Sequence, residues 1–305
     1  MKFIIYSAGY DHDIGGIIVL HKLCHHLNEL GHTAYIHPVI KDHLPRYCRI
    51  IYNLIDIFLP KFRKAFRRNP TLNTPLRPIF DRISDSDTVV IYPEAIGGNP
   101  LGATNVVRWF LHEPGFHNRD FHCGSGEFHI DFNEFLKGYQ QSGNHVSAHR
   151  LLVLHFPTEI YNLEGALPDE DRKGAAYCVR KGKFDPDQVD LADAICIDGL
   201  SHQECARIFR QVRYFFSFDP YTAYSWFAAL CGAVSVVLPP KGMSKEDWYA
   251  DASNRLGIAF GPKEEQWARQ TRHLVLPHIE ASEAASRTSV STFVEEVRDY
   301  FGITS

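Results

Sequence analysis

The sequence predicts an α/β protein built of two parallel-sheet domains that face each other across a cleft. Three observations carry that expectation. Short apolar runs alternate with helical segments twice along the chain. A polar stretch rich in Pro, Gly and charge separates the two alternations. The length, 305 residues, exceeds the roughly 250 to 300 residues at which a single hydrophobic core usually stops growing. The separating stretch is "NLEGALPDEDRKG", residues 162–174, a charge run with little to bury. It divides a first domain, 1–165, from a second, 166–280, and leaves 281–305 as a C-terminal helix packing back on the first domain.

The first domain opens with "KFIIYSA", a short apolar strand, and the turn-rich "GYDHDIGG". In "IIVLHKLCHHLNELG" the residues Ile17, Leu20, Leu23, Cys24, Leu27 and Leu30 recur at helical spacing, and Gly31 ends the helix. "HTAYIHPV" follows as a second strand. Residues 46–68 read as a helix with cations at its end. "DTVVIYPEA" and "NVVRWFLHEPG" are further strands bounded by Pro and Gly, 115–131 reads as a long polar loop, and "RLLVLHFP" as the next strand.

The second domain opens with "AAYCVRKGKF" and continues through "DAICIDG" to a helix, "SHQECARIFRQV", that starts on a Ser201 to Glu204 capping box. Then comes "FFSFDPYTAYSWFAALCGAVSVVLP", which reads as strand, sharp turn, helix, glycine stop and strand. Pro220 suits a first helical position, because its missing N–H would have no partner there. Asp219 then reads as the helix cap, accepting from the N–H of Tyr221 or Thr222.

Composition excludes several function classes. A net charge of −4 argues against a nucleic-acid binder driven by counterion release. No run approaches the roughly 18 consecutive apolar residues of a spanning helix, and the start breaks into glycine and acids too early for a signal peptide. The seven cysteines form no CxxC pair and sit in apolar segments, which suits reduced, buried thiols in the cytoplasm.

Ligands of parallel sheets lie at the carboxyl ends of strands, and the candidate residues cluster there. Gly15 and Gly16 form a glycine pair before the first helix, either for close approach by a ligand or for a turn of positive φ; the pattern is not a dinucleotide fingerprint, so no such cofactor is expected. Arg180, Lys181 and Lys183 surround a glycine just after a strand and could neutralise a diphosphate. A helix start at Asp219 and Pro220, with the Thr222 hydroxyl, suits the same anion. Glu94 and His112 end successive strands, as a general base or hydroxyl-binding pair would. His112, His117, His122 and His129, with Cys123, match no compact zinc spacing, so no metal is expected. In 46–68 an apolar stripe beside a cation cluster reads either as a core-packed helix or as a contact with an anionic membrane surface.

Three segments together resemble a family: "GGIIVLHKLCHHLNELGH", "VVIYPEAIGGNPLGATNVVRW" and above all "YFFSFDPYTAYSWFAALCGAVSVVLP". They are similar to the GT-B glycosyltransferases, in particular the retaining, glycogen-synthase-like enzymes of bacterial surface polysaccharide synthesis. The resemblance implies two Rossmann-like domains, a nucleotide-sugar donor as co-substrate on the second, a saccharide or lipid-linked acceptor entering from the first, and neither metal nor cofactor. It implies Arg180, Lys181 and Thr222 at the diphosphate, with Lys183, Pro220 and Tyr221 in the same donor site, Asp219 at the sugar hydroxyls, and Gly15 and Gly16 at the cleft floor, Asp13 and Glu113 lying on the acceptor side. For an inverting reaction the base would be His112, Glu94 or Asp13. The family pattern places a second acid where this chain has Phe227, which accepts no hydrogen bond. A catalytically silent scaffold of the same fold and a sugar-nucleotide 2-epimerase are the other two readings. Composition and cysteine usage place the expected protein in the cytoplasm, with 46–68 as the point of any peripheral contact with the inner face of the membrane.

Overall fold

Every strand pairing between the named strands is parallel. Most of the strands are short apolar runs, and those at the centre of each sheet are buried on both faces, which is the signature of parallel sheets covered on each side. A computed structural model describes residues 1–39, 66–78, 81–83, 85–132, 136, 139, 143–185 and 187–304. The expected helix over 46–68, with its membrane-contact face, lies outside the described residues as far as position 65. The chain divides into two units, Met1–His155 with Ser282–Ser305, and Phe156–Ala281.

In unit 1 the strands are β1 (Lys2–Ser7), β2 (Thr33–Pro38), β3 (Thr88–Pro93), β4 (Asn105–Phe110), β5 (Phe128–Asp131) and β6 (His145–Arg150), in the order β2-β1-β3-β4-β5-β6. Helix α1 (Gly15–Glu29) follows β1 and stops at Gly31, whose φ of 83° is the left-handed value a helix end favours. The order reverses between β1 and β3, so a crevice opens beyond their carboxyl ends.

Two sequence expectations change here. The polar stretch 115–131 is not loop throughout, because its last four residues are β5, pairing with Val107–Phe110. Three of those four are buried, and the strand is too short, with two polar side chains in four residues, to stand out from the polar stretch around it. "RLLVLHFP" is not a strand: β6 ends at Arg150. Beyond it, the N–H groups of Leu152 and Leu154 donate to the hydroxyls of Ser289 (2.9 Å) and Ser286 (3.1 Å). Side chains from 130 residues later thus replace the ladder partner that the apolar run would otherwise require. Those serines lie on the long helix Val275–Phe301, whose Val290, Phe293, Val294 and Val297 join the core of unit 1 with Phe3, Leu23 and Trp109.

Acid should weaken unit 1. His26 is buried, and burial first, then the nearby Lys22, His25, Arg287 and His155, push its pKa down to about 4. His21, His25 and His32 shift in the same direction, each chiefly through burial. Above the ordinary pKa of about 6.5 these rings are neutral in folded and unfolded chains alike, and stability is flat with respect to them. Below it the unfolded chain takes up protons that the folded chain refuses, so stability falls from about pH 6.5 towards about pH 4. Urea midpoints measured at pH 7 and pH 5 check this; equal midpoints would contradict it.

In unit 2 the strands are β7 (Ala175–Cys178), β8 (Ile195–Cys196), β9 (Tyr214–Ser217), β10 (Val234–Val237) and β11 (Ile258–Phe260), in the order β11-β10-β9-β7-β8. Helix α2 (His202–Phe209) carries the expected capping box: Ser201 Oγ accepts from the Glu204 N–H while Glu204 reaches back to the Ser201 N–H. Helix α3 (Tyr224–Leu230) follows β9. The strand order reverses between β7 and β9. The unit begins at Phe156, ahead of the boundary at 165/166 drawn from composition. Tyr161 accounts for this, since its ring is fully buried and stacked on Phe227 at 4.2 Å.

Arg172 fastens the back of this unit. It is buried and donates to the carbonyls of Leu167, Phe209, Val212 and Cys231 at 2.8 to 3.2 Å. Gly232, with φ of 92°, leaves it room, because a Cβ there would lie 2.4 Å from Arg172 Nη2. Of the six described cysteines, none is disulfide-bonded, and Cys196 is exposed rather than buried.

Candidate functional site

The register of β7 on β9 brings Cys178 beside Ser217, so the segments that leave the two strands emerge together at the point where strand order reverses. Their geometry is set by two acids and a glycine. Asp198 Oδ2 accepts from the N–H groups of Val179 (2.8 Å) and Arg180 (3.2 Å). Arg180 has φ of 47°, a left-handed conformation that costs a non-glycine residue about 1 kcal/mol or more and persists only where neighbours enforce it. Its guanidinium lies 5.0 Å from the centre of the Tyr224 ring, a cation–π contact. At Gly182 the two segments touch: a Cβ would fall 2.0 Å from the Phe218 carbonyl oxygen and 2.7 Å from the Asp219 nitrogen.

Asp219 closes the arrangement. Its Oδ1 accepts from the Tyr221 N–H at 3.1 Å and its Oδ2 from the Lys181 N–H at 3.4 Å, so one carboxylate fastens both segments. Ser217 Oγ donates to the Asp219 carbonyl at 2.7 Å. Asp219 is not the cap of the following helix, as the sequence suggests. The helix starts at Tyr224 with Ala223 before it and no side-chain cap. The Pro220 carbonyl, which a helix beginning at Pro220 would bond to Tyr224, instead accepts from Trp248 Nε1 at 2.7 Å. The Tyr224 N–H turns to Thr222 Oγ1 at 3.4 Å. The local bond from Asp219 to Tyr221 is therefore an Asx turn that holds the chain out of the helix.

The result is a depression of about 750 Å³ lined by Arg180–Lys183, by Phe218–Ala223, and by Pro240 and Met243. Arg180, Lys181, Lys183, Asp219, Pro220, Tyr221 and Thr222, all singled out in the sequence, thus come together on one surface. Three cations face one carboxylate whose oxygens already accept backbone N–H groups, so the surface is suited to an anion. Tyr221, 57% exposed, adds an aromatic face at its rim. Phe227 is 5% exposed and packed on Tyr161, whose hydroxyl lies 2.7 Å from His202 Nδ1. It belongs to the core rather than to the depression.

Unit 1 gathers its own candidates at the ends of β3 and β4. Glu94 is buried, and its Oε2 accepts from the Leu111 N–H at 3.0 Å, tying the two strand ends together. Burial raises its pKa above the usual carboxylate range, against the lowering pull of the Leu111 N–H and its own. His112 Nδ1 accepts from the Glu113 N–H at 2.8 Å, and its ring stacks on Phe116 at 3.8 Å. Glu113 and Asp13 are exposed; the Asp13 N–H donates to Asp11 Oδ1 at 2.9 Å. Gly15 and Gly16 do not supply the positive φ that one reading of the sequence suggests. Neither has positive φ; among the described residues a Cβ on Gly15 would touch nothing, and one on Gly16 would make an ordinary 3.6 Å contact with Leu111. Both simply occupy the first turn of α1, where right-handed backbone asks nothing of glycine.

Sequence reasoning missed Asp198, Gly182 and Trp248. Gly182 alone left a signal, a glycine set among cations, but its partner is a peptide bond 36 residues away, invisible without the register.

No family model matches the sequence, and no curated protein matches it. Among solved structures the chain is similar to a sucrose-phosphate synthase from Thermosynechococcus elongatus, at 12% identity over 98% of this chain and 94% of that one, with a TM-score of 0.40. It is similar also to the glycosyltransferase SnogD from Streptomyces nogalater, at 12% identity over 97% and 99%, TM-score 0.38. A third is the T4 phage BGT in complex with its UDP-glucose substrate, at 10% identity over 99% and 98%, TM-score 0.39. Likenesses at this level carry no argument about activity; the two parallel-sheet units stand on their own strand pairings.

Proposed function

We propose that the protein is a metal-independent glycosyltransferase that moves a sugar from a nucleotide-sugar donor to a saccharide or lipid-linked acceptor. The observation that carries this reading is the unit 2 depression: three cations, Arg180, Lys181 and Lys183, beyond the carboxyl end of β7, beside the segment that leaves β9, where the sheet order reverses. The resemblance of three sequence segments to GT-B enzymes supports it independently. In this reading the cations take the place of a metal at the diphosphate, stabilising charge as it builds on the leaving group, and the rest of catalysis is positioning. Glu94, whose pKa burial raises, and His112 are the acceptor-side candidates.

Calorimetric titration with UDP, GDP, ADP, CMP and dTDP sugars tests the proposal, which fails if none binds. Lys181→Ala should weaken the donor that binds by about tenfold, the worth of roughly 1.4 kcal/mol from one charge-assisted contact. Unchanged affinity would remove Lys181 from the site. A second reading, a donor-binding protein without transfer, is favoured by Asp219 and Phe227, since the first has both carboxylate oxygens engaged and the second is core. Bound donor that is neither transferred nor hydrolysed across a panel of saccharide and lipid-linked acceptors would select it.

A further inference from the structure

We propose that unit 1 holds a zinc ion between Cys123, Glu127 and His129, a site that takes no part in the donor-binding reading. The thiol, carboxylate and imidazole ligand atoms lie within 4.8 Å of one another. Glu127 and His129 are almost wholly buried, and among the described residues neither ring nitrogen of His129 has a hydrogen-bond partner. A buried imidazole with nothing to donate to or accept from is a cost to the fold unless a ligand completes it. Its Nε2 is 3.6 Å from Glu127 Oε2, too long for a hydrogen bond yet suited to two ligands converging on one ion.

The surroundings orient the set as outer partners of a metal site do. Arg108, fully buried and opposite His129 in the register of β4 on β5, donates its Nε and Nη2 to the two oxygens of Glu127 at 3.1 and 3.0 Å. Its other bonds go to the carbonyls of Ile96 and Gly98. The Gly124 N–H adds a third donor to Glu127 at 2.7 Å, so the carboxylate is fixed with a lone pair left towards His129. One thiolate, one imidazole and one carboxylate match the borderline-soft preference of Zn²⁺ better than that of Mg²⁺ or Ca²⁺. Around zinc the three atoms would stand roughly 3 to 4 Å apart, a spacing His129 Nε2 and Glu127 Oε2 already have. Cys-x3-Glu-x-His escapes pattern reading because the third ligand is a carboxylate, and the two nearer histidines of the loop draw the eye instead.

Zinc must displace the Cys123 proton. An ordinary thiol is mostly protonated near pH 7, so binding there should release about one proton per ion. The test is calorimetric titration of Zn²⁺ into the chelator-stripped full chain, in two buffers of different ionisation enthalpy, with Co²⁺ as an optical probe. One equivalent should bind with that proton release, and the cobalt form should show a thiolate-to-metal charge-transfer band. Cys123→Ser should weaken zinc by roughly 100-fold or more and abolish the band, while Cys196→Ser, which removes the exposed cysteine, should leave both unchanged. A wild-type cobalt spectrum without the band overturns the proposal whether or not Cys123→Ser folds. So does an affinity that Cys123→Ser leaves intact, or one that Cys196→Ser removes.

Discussion

Gly182→Ala is expected to lose donor binding by about 100-fold or more, equivalent to roughly 2.7 kcal/mol. The added Cβ would meet the Phe218 carbonyl oxygen at 2.0 Å, its carbon at 2.3 Å and the Asp219 nitrogen at 2.7 Å. All three are backbone atoms of the segment leaving β9, so no side-chain rotation relieves the overlap. The 179–183 segment must withdraw by about 1 Å or more to restore normal contact. Withdrawal stretches the Lys181 N–H bond to Asp219, already 3.4 Å, past useful length, and carries Arg180, Lys181 and Lys183 away from their present positions. Overpacking of this kind usually costs about 1 to 3 kcal/mol of stability, so the variant should still fold. Donor titration beside a circular dichroism melt separates the two effects. A folded Gly182→Ala protein that binds donor as well as wild type would show that these cations do not hold the ligand.

The second large effect is structural. Arg172→Met keeps the aliphatic bulk but removes the donors that satisfy four carbonyls at the back of unit 2. Each carbonyl left dry costs about 1 to 3 kcal/mol; relaxation and water entry recover part of that, and about 3 to 5 kcal/mol should remain. Gly232→Ala strikes the same staple from the other side, through its φ of 92° and the 2.4 Å approach to Arg172 Nη2. Trp226, Trp248 and Trp267 belong to unit 2, so tryptophan fluorescence during denaturant unfolding reports mainly on that unit. Both variants should move the fluorescence midpoint sharply to lower denaturant. A midpoint within experimental error of wild type for Arg172→Met would mean that water already serves those carbonyls.

What could be read in advance depended on how local the cause was. The strand-helix alternation, the Gly31 stop and the Ser201 box are decided within a few residues, and the structure contains all three. Residues of the depression were legible too, since "CVRKGKF" and "FDPYT" each follow a strand and parallel strands deliver their following segments to one rim. What escaped was set at long range. The α3 start moves from Pro220 to Tyr224 because an indole 28 residues on takes the Pro220 carbonyl. Leu152 and Leu154 leave the sheet because of hydroxyls on the C-terminal helix. Phe227 reads as a departure at a ligand, but in space it answers Tyr161, and the two rings make one stack. Gly15 and Gly16 misled in the opposite direction: glycine invites a conformational reason, and here none is needed.

The division of the chain has a consequence for how the protein comes into being. Unit 2 is one uninterrupted run, Phe156–Ala281, spliced between the two pieces of unit 1. A ribosome therefore finishes every strand of unit 2 before it releases Val290, Phe293, Val294 and Val297, the side chains that close the core over Phe3. During that interval the face of the first sheet that α1 covers only in part stays incomplete, the situation in which nascent chains stick to one another or to chaperones. Unit 2 has no such wait. Residues 1–155 alone lack the helix side chains that complete their core.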